Sequence, residues 1–293
     1  MFLRMRKSNE VRSGSEGVQT HQTTESEESW IAAVVQENRN QRRTNRRIIW
    51  LERIGAVVLF LTGWQLLNSL GIVLPILISS PRLIGSDMVQ LFQTGSFYTD
   101  ALTTLLEMIS GLIIGTIIGI SVGLGIGMKR RLSRAVQPLA VAAHSIPAVI
   151  LAPLVAVWFG FGFQPKIGIV ALAVFYPIFF NTLTGASNID ETLVSNLKIF
   201  GLSRRSIVRH VYLPSAVVWT VASLRTAVSF ALTGAIVAEF VGARHGLGVA
   251  MVDASQFLHT ARVFSILLVL TTFGVVFGFL VRALENYMFR WQR

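Results

Sequence analysis

The chain offers few residues for covalent chemistry. It has no cysteine, which excludes disulfides, thiolate metal sites and cysteine nucleophiles. Its histidines, His21, His144, His210, His245 and His259, include no pair at helical ligand spacing, so a metal site is not expected. No G-x-x-x-x-G-K-[ST] loop is present, and the chain cannot cradle a nucleotide in that way. Gly123, Gly125 and Gly127 imitate a nucleotide-binding glycine cluster, but they close an apolar run instead of following a strand. No nucleophile and base stand in a useful arrangement, and no catalytic residue is assigned. What remains is a set of polar groups inside apolar runs, where they are costly in lipid: Glu107, Arg225 and Glu239, with Asn181 and Thr182. Asn181, Arg225 and Glu239 are candidates for lining a path or gate. Pairing within a helix bundle is the alternative, and Glu239, near the end of its run, could also reach water. One acid and one base within spans suggest a Glu107–Arg225 pair.

The elements that must position these groups are membrane helices. Of 293 residues 52% are hydrophobic and 14% charged, against roughly 25% charged in a soluble protein. The apolar residues fall in blocks near the ~20 residues a spanning helix needs. The expected fold is all-α, a polytopic bundle of about six spans at 48–70, 101–128, 135–159, 167–183, 215–241 and 263–284. Residues 71–100 form a segment outside the membrane. In the second span Gly111, Gly115, Gly119 and Gly123 recur every four residues, giving a face that another helix can approach closely. The third span carries Pro138, Pro147 and Pro153, and the fourth Pro177. Such breaks are tolerated in lipid where neighbours shield them or a cavity is lined.

Charge sets the orientation. The net charge of +11 would suit nucleic acid, but it lies between the spans, where topology explains it. Lys129, Arg130, Arg131, Arg134, Lys198, Arg204, Arg205, Arg209, Arg282, Arg290 and Arg293 fall on one side, and Arg82, Lys166, Arg244 and Arg262 on the other. Both termini are therefore expected in the cytoplasm. Residues 1–47 read as a separate polar tail without a signal peptide. It is disordered to about residue 29 and ends in a basic cluster, Arg39, Arg42, Arg43, Arg46 and Arg47, suited to anionic lipid.

The longest polar interruption after the second span is 188–214, NIDETLVSNLKIFGLSRRSIVRHVYLP. Asp190 can cap a short helix with Leu193, Leu197 and Phe200 on one face. Gly201, the only glycine between Gly185 and Gly234, suits its stop with a positive φ. Ser203 can cap a second helix, with Ile207, Val208, Val211 and Tyr212 on one face and Arg204, Arg205 and Arg209 on the other. Pro214 opens the next apolar run. Such a pair either docks a partner or lies on lipid headgroups.

From about Pro75 to Trp291 the chain resembles the permease subunit of a bacterial ATP-binding-cassette importer, in the nitrate, sulfonate and taurine branch that also serves thiamine-precursor and flavin uptake. SIPAVILAPLVAVWFGFG at 145–162 is similar to that branch's Ile-Pro, Ala-Pro-Leu and Trp-Phe-Gly-x-Gly pattern. FYPIFFNTLTG at 175–185 and VAEFVGARHGLG at 237–248 resemble its Phe-Pro, Asn-Thr, Ala-Glu and Gly-Leu-Gly patterns. Gly201 and Leu213-Pro214 match the family's cytoplasmic coupling loop, while Ser195, Asn196 and Leu197 stand where it has Glu-Ala-Ala. The family's second-span Arg is Glu107 here, and its Leu-Arg before Ile-Pro is Ala143-His144.

The resemblance implies a type I importer-like permease in the bacterial inner membrane. Two copies would form the pathway and two ATPase subunits would sit below, each taking the region of Ser195, Asn196, Leu197, Gly201, Leu202, Ser203, Arg204 and Arg205 into a groove. An extracytoplasmic binding protein would deliver a small solute. ATP and magnesium would be held by the partner, with no cofactor in this chain and no nucleic acid. A nitrate-, sulfonate- or taurine-like cargo is the first expectation and a thiamine-pyrimidine or riboflavin-type cargo the second. An ion-coupled secondary transporter is a further alternative, disfavoured by the few membrane carboxylates and the lack of an obvious repeat.

Overall fold

The computed structural model describes residues 49–72, 74–160, 162–241 and 243–288. The polar tail, its basic cluster, Arg290 and Arg293 lie outside the described residues. Helix α1, Ile49–Ser69, is long and apolar enough to cross a membrane and belongs to a separate unit that ends at Leu67. The rest of the chain, from Asn68, is one compact unit. It contains α2 (Pro81–Gln93), α3 (Gly95–Gly127), α4 (Arg130–His144), α5 (Ala148–Phe159), α6 (Phe163–Ser187), α7 (Glu191–Ile199), α8 (Arg204–Ile207), α9 (Leu213–Phe240), α10 (Leu247–Gln256) and α11 (Thr260–Met288). No strand occurs among the described residues.

Helices α3, α6 and α9 make the core. Met108, Val170, Val174, Ile178, Ala227 and Ala231 form one buried cluster between them. Helix α3 comes against α6 because its facing side has no side chains. A Cβ on Gly115 would lie 2.5 Å from the Ala171 carbonyl oxygen, one on Gly119 2.8 Å from Ile178, one on Gly123 2.9 Å from the Phe179 carbonyl oxygen. Gly111, against Val170, and Gly127, against Ala186, extend the stripe in both directions. At this separation backbone dispersion and side-chain packing replace the hydrophobic effect that lipid cannot supply. A second cluster, with Leu91, Phe97, Leu247 and Ile266, joins α2, α3, α10 and α11 at the end where α3 begins. There Arg262 at the start of α11 donates from Nε to both oxygens of Asp87 on α2, at 2.9 and 3.0 Å.

Among the described residues five helices are long and apolar enough to span: α1, α3, α6, the continuous helix Arg204–Phe240, and α11. The expected third span is not one helix. It divides into α4 and α5 at Ser145–Pro147, and each piece is short of a span. Pro147 causes the division: it has φ −61° and ψ 130°, outside the helix, and it caps α5. The residue before a proline is likewise pushed from helical geometry. Pro138, Pro153 and Pro177 sit inside helices without ending them. Residues 71–100 are not merely a segment outside the membrane, since they hold α2 and the first residues of α3. The fourth span begins earlier than its apolar run, at Phe163, and so includes Lys166.

Pro214 opens its apolar run as expected, but it does not begin a separate helix. It lies in the first turn of α9, and the helix runs without interruption from Arg204 to Phe240. A π-helical turn, Val208–Tyr212, precedes it. The Leu213 amide bonds the Val208 carbonyl five residues back, and this wider turn accommodates the ring and missing donor of the next residue.

Candidate functional site

Two places gather the polar residues, one at each end of the core. The first is the projection formed by α7, Gly201 and α8. The Asp190 side chain accepts from the Thr192 amide at 2.8 Å and caps α7. The helix ends at Phe200, and Gly201 turns the chain with φ +82°. The Gly201 amide donates to the Lys198 carbonyl at 3.0 Å, and the Leu202 amide to the Leu197 carbonyl at 3.1 Å. These two bonds are the pattern of a helix closed by a left-handed glycine. Ser203 accepts from the Ser206 amide at 3.2 Å and starts α8. Ile207 is fully buried and Val194 nearly so, which fixes the pair to the bundle. Arg130 at the start of α4 pairs with Glu191 at 3.2 Å across solvent-exposed surface, a contact of small energetic weight.

The face expected on α7 is shifted. Val194 is the residue that packs inward. Leu197 is half-buried and Leu193 exposed. Ile199 and Phe200 are 81% and 79% exposed. The turn therefore presents two large apolar side chains outward, with Lys198, Arg204 and Arg205 exposed around them. Ser195, Asn196 and Ser203 are exposed on the same projection, while Leu202 is half-buried.

The second place lies at the opposite end, around the amino terminus of α10. That terminus begins with Gly246, whose φ is +139°. A Cβ there would run into the Glu239 carboxylate, so neither the conformation nor the space admits another residue. Three successive amides are satisfied by side chains. The Gly246 amide donates to Asp100 Oδ1 at 3.0 Å, the Leu247 amide to Thr104 Oγ1 at 2.9 Å, and the Gly248 amide to Glu239 Oε2 at 2.5 Å. Thr104 in turn donates to Glu239 Oε1 at 2.6 Å. Carboxylates here meet the orphan donors and positive end of a helix dipole. Thr104, Glu107 and Glu239 are all fully buried. Lys166, from α6, forms an ion pair with Glu107. One cation from α6 thus stands beside two acids, one from α3 and one from α9.

The family model for the inner membrane component of binding-protein-dependent transport systems matches residues 111–290. The chain belongs to this family. Among its relatives is the riboflavin transport system permease protein RibX of Chloroflexus aurantiacus, 35% identical over 80% of this chain and 88% of that protein. Another is the putative aliphatic sulfonates transport permease protein SsuC of Bacillus subtilis, 25% identical over 84% of this chain and 90% of that protein. A solved structure of the MetNI methionine ABC transporter, described as inward facing, aligns with a TM-score of 0.54 and 21% identity, covering 70% of this chain and 97% of that one. At that identity the match speaks to fold alone, and the all-helical architecture agrees with it. The protein is a multi-pass inner-membrane component of an ABC transporter.

Several candidate residues of the permease stand apart from one another. Arg225 does not meet Glu107. It pairs with Glu285 of α11 at 2.8 Å and is about half exposed. Glu107 has Lys166 instead, so Lys166 is not a solvated residue outside the membrane but a buried partner, 9% exposed. Asn181 turns its side-chain amide back to the Pro177 carbonyl, one turn earlier in the same helix, at 2.8 Å. Thr182 shares a hydrogen bond of 3.0 Å with Thr220 of α9. Glu239 does not reach water; it is 1% exposed. Asp100, Thr104 and Lys166 were not singled out by sequence. For Asp100 and Thr104 a helical i, i+4 spacing ahead of Glu107 was the available signal.

Proposed function

We propose that this chain is the pathway-forming permease subunit of an ATP-driven, binding-protein-dependent importer of a small solute, and that its α7–Gly201–α8 projection engages a separate ATPase subunit. The observation that carries this reading is the projection itself. It is capped at both helices and closed by two backbone bonds at Gly201. It is anchored by Val194 and Ile207, yet it holds Ile199 and Phe200 out in solvent. Exposed apolar anchors on a stiff support are what a partner groove takes up. Lipid headgroups would not require the stiffness.

In this reading the projection and both termini are cytoplasmic, as the Lys and Arg distribution favours. The opposite end, where a cavity of about 840 Å³ opens beside Asp87, Asp100, Arg244, His245 and Arg262, receives the binding protein. Two permease copies enclose the pathway and two ATPase subunits hold ATP and magnesium. Rigid-body motion of the ATPases reaches the core through α8, because α8, the π-helical turn and α9 are one continuous helix. The cargo expected from the sulfonate- and taurine-type relatives is a small nitrate-, sulfonate- or taurine-like solute; riboflavin-type or pyrimidine cargo is the second reading, supported by the 35% identity to a riboflavin permease.

The test is reconstitution. The permease co-expressed with its ATPase should co-purify with it. In liposomes the complex should hydrolyse ATP faster when loaded binding protein is added, whereas the permease alone should hydrolyse none. Failure to retain an ATPase, or solute uptake driven by an ion gradient without ATP, would overturn the reading in favour of a secondary transporter.

A further inference from the structure

Midway along the core, the helix break at 145–147 lies beside a group of rings that the coupling and α10 sites do not use. His144, the last residue of α4, has its ring 4.7 Å from Tyr176 of α6, 6.0 Å from Phe180 and 6.4 Å from Phe230 of α9. Tyr176 and Phe180 lie nearly parallel, with an interplanar angle of 24°. The rings are not core filling. His144 is exposed, Tyr176 and Phe180 are half-buried, and Phe230 is 38% exposed. Neither the imidazole nor the Tyr176 hydroxyl takes part in a side-chain hydrogen bond among the described residues.

Depth and charge narrow what these rings could meet. Tyr176 is the fourteenth of the 25 residues of α6, roughly 20 Å from its start at 1.5 Å per residue, near the middle of a ~30 Å hydrocarbon core. Backbone leaves helical geometry at membrane depth where protein shields it or a cavity is lined. The surrounding chain is free of formal charge: residues 135–165, 167–189 and 226–238 contain no Lys, Arg, Asp or Glu. The cations that border these segments, Lys166 and Arg225, are each held by an acid, Glu107 and Glu285. A flat ring would meet aromatic faces for stacking, with an imidazole and a phenol free to bond heteroatoms at its edge.

We propose that His144, Tyr176, Phe180 and Phe230 form a mid-membrane stacking station, and that the permease carries a planar, uncharged heteroaromatic solute. The proposal rests on the permease reading above and selects its cargo class. The phenol and imidazole orient the ring edge, and Phe180 and Phe230 supply apolar faces that bind without holding it tightly. A station of this kind releases its solute readily, because stacking is tolerant of position and no buried charge has to be neutralised.

The complete transporter, with its ATPase and binding protein, is assembled in liposomes and offered four probes: riboflavin, an aminopyrimidine, taurine and nitrate. The permease reading is scored separately, by ATPase co-purification and stimulated hydrolysis. With both intact, uptake of a planar ring is expected, and neither taurine nor nitrate should be taken up. Tyr176→Leu should lower the apparent affinity for that ring about tenfold, with Tyr176→Phe retaining most of it and His144→Ala weakening uptake several-fold. Binding-protein stimulation of ATP hydrolysis should persist in all three variants. Uptake of taurine or nitrate, uptake of none of the four, or ring uptake unchanged in both Tyr176→Leu and His144→Ala overturns the proposal while leaving the permease reading standing.

Discussion

Replacing Gly201 with valine tests the coupling projection at its narrowest point. Nothing lies within 4 Å of a Cβ built at Gly201, so a larger side chain meets no clash. The penalty comes from the backbone alone. At φ +82° an L-residue pays ~1–2 kcal/mol, and a β-branched residue falls toward the upper part of the ~1–3 kcal/mol range for strained conformations. Relief by a change of sign in φ would break the amide bonds from Gly201 to Lys198 and from Leu202 to Leu197, each worth ~0.5–1.5 kcal/mol. Either route costs about 2 kcal/mol, which lowers the ratio of correctly turned to misdirected projections roughly 30-fold. The spans should be untouched, since Val194 and the core clusters do not depend on the turn.

The assay is ATPase co-purification from membranes, followed by binding-protein-stimulated hydrolysis in liposomes. Gly201→Val should insert at normal levels and lose most ATPase binding or most stimulation. Gly201→Ala should fall between it and the parent. Gly201→Asn should stay near the parent, because asparagine tolerates the left-handed region. The order Asn, Ala, Val is the fingerprint of backbone conformation. A normal Gly201→Val transporter would show that the turn transmits nothing, and equal damage from all three would point to a direct contact by the glycine.

Gly115→Leu should destabilise the permease itself, because its Cβ would sit 2.5 Å from the Ala171 carbonyl oxygen; loss of a monodisperse peak in detergent checks this. Glu239→Gln keeps one acceptor for the Gly248 amide but sets an NH2 group against Thr104 or its neighbours. Assembly should survive with transport reduced several-fold, and normal transport would make Glu239 only a structural cap. Lys166→Met should cost ~3–5 kcal/mol by leaving Glu107 buried without its cation. Lys166→Met combined with Glu107→Leu should recover most thermal stability, and a double variant no better than the single one would refute the pairing.

The four-residue glycine spacing located the face of α3 that meets α6, and Asp190, Gly201 and Ser203 took the capping and stopping geometry their side chains allow. Proline was harder, because its effect depends on surroundings that the sequence does not display. Pro147 ends a helix, Pro138, Pro153 and Pro177 ride inside helices, and Pro214 is absorbed by a π-helical turn. The inward face of α7 is hidden from the sequence for a related reason. Its length of 9 residues is little more than two turns, too short for periodicity to choose between Leu193, Leu197 and Val194 when a partner subunit can cover whatever the bundle does not.

The charged residues show where such reading stops. Lys166 lies near a helix start and reads as solvated; what buries it is Glu107 on α3, and no local spacing relates the two. The bonds around α10 join residues 135, 143 and 146 positions apart, far beyond any helical register. Their arrangement follows from the packing of α3, α6 and α9, because once the glycine stripe sets α3 against α6, Thr104 and Glu107 must face the end of α9. An acid at 107 is then tolerable only with a cation within reach, and Lys166 is the residue of α6 that supplies it. Arg225, with Glu285 opposite it on α11, is left satisfied elsewhere. Opposite charges in different spans are therefore weak evidence for a pair until the helix contacts are known, since each buried charge takes the partner that packing brings close.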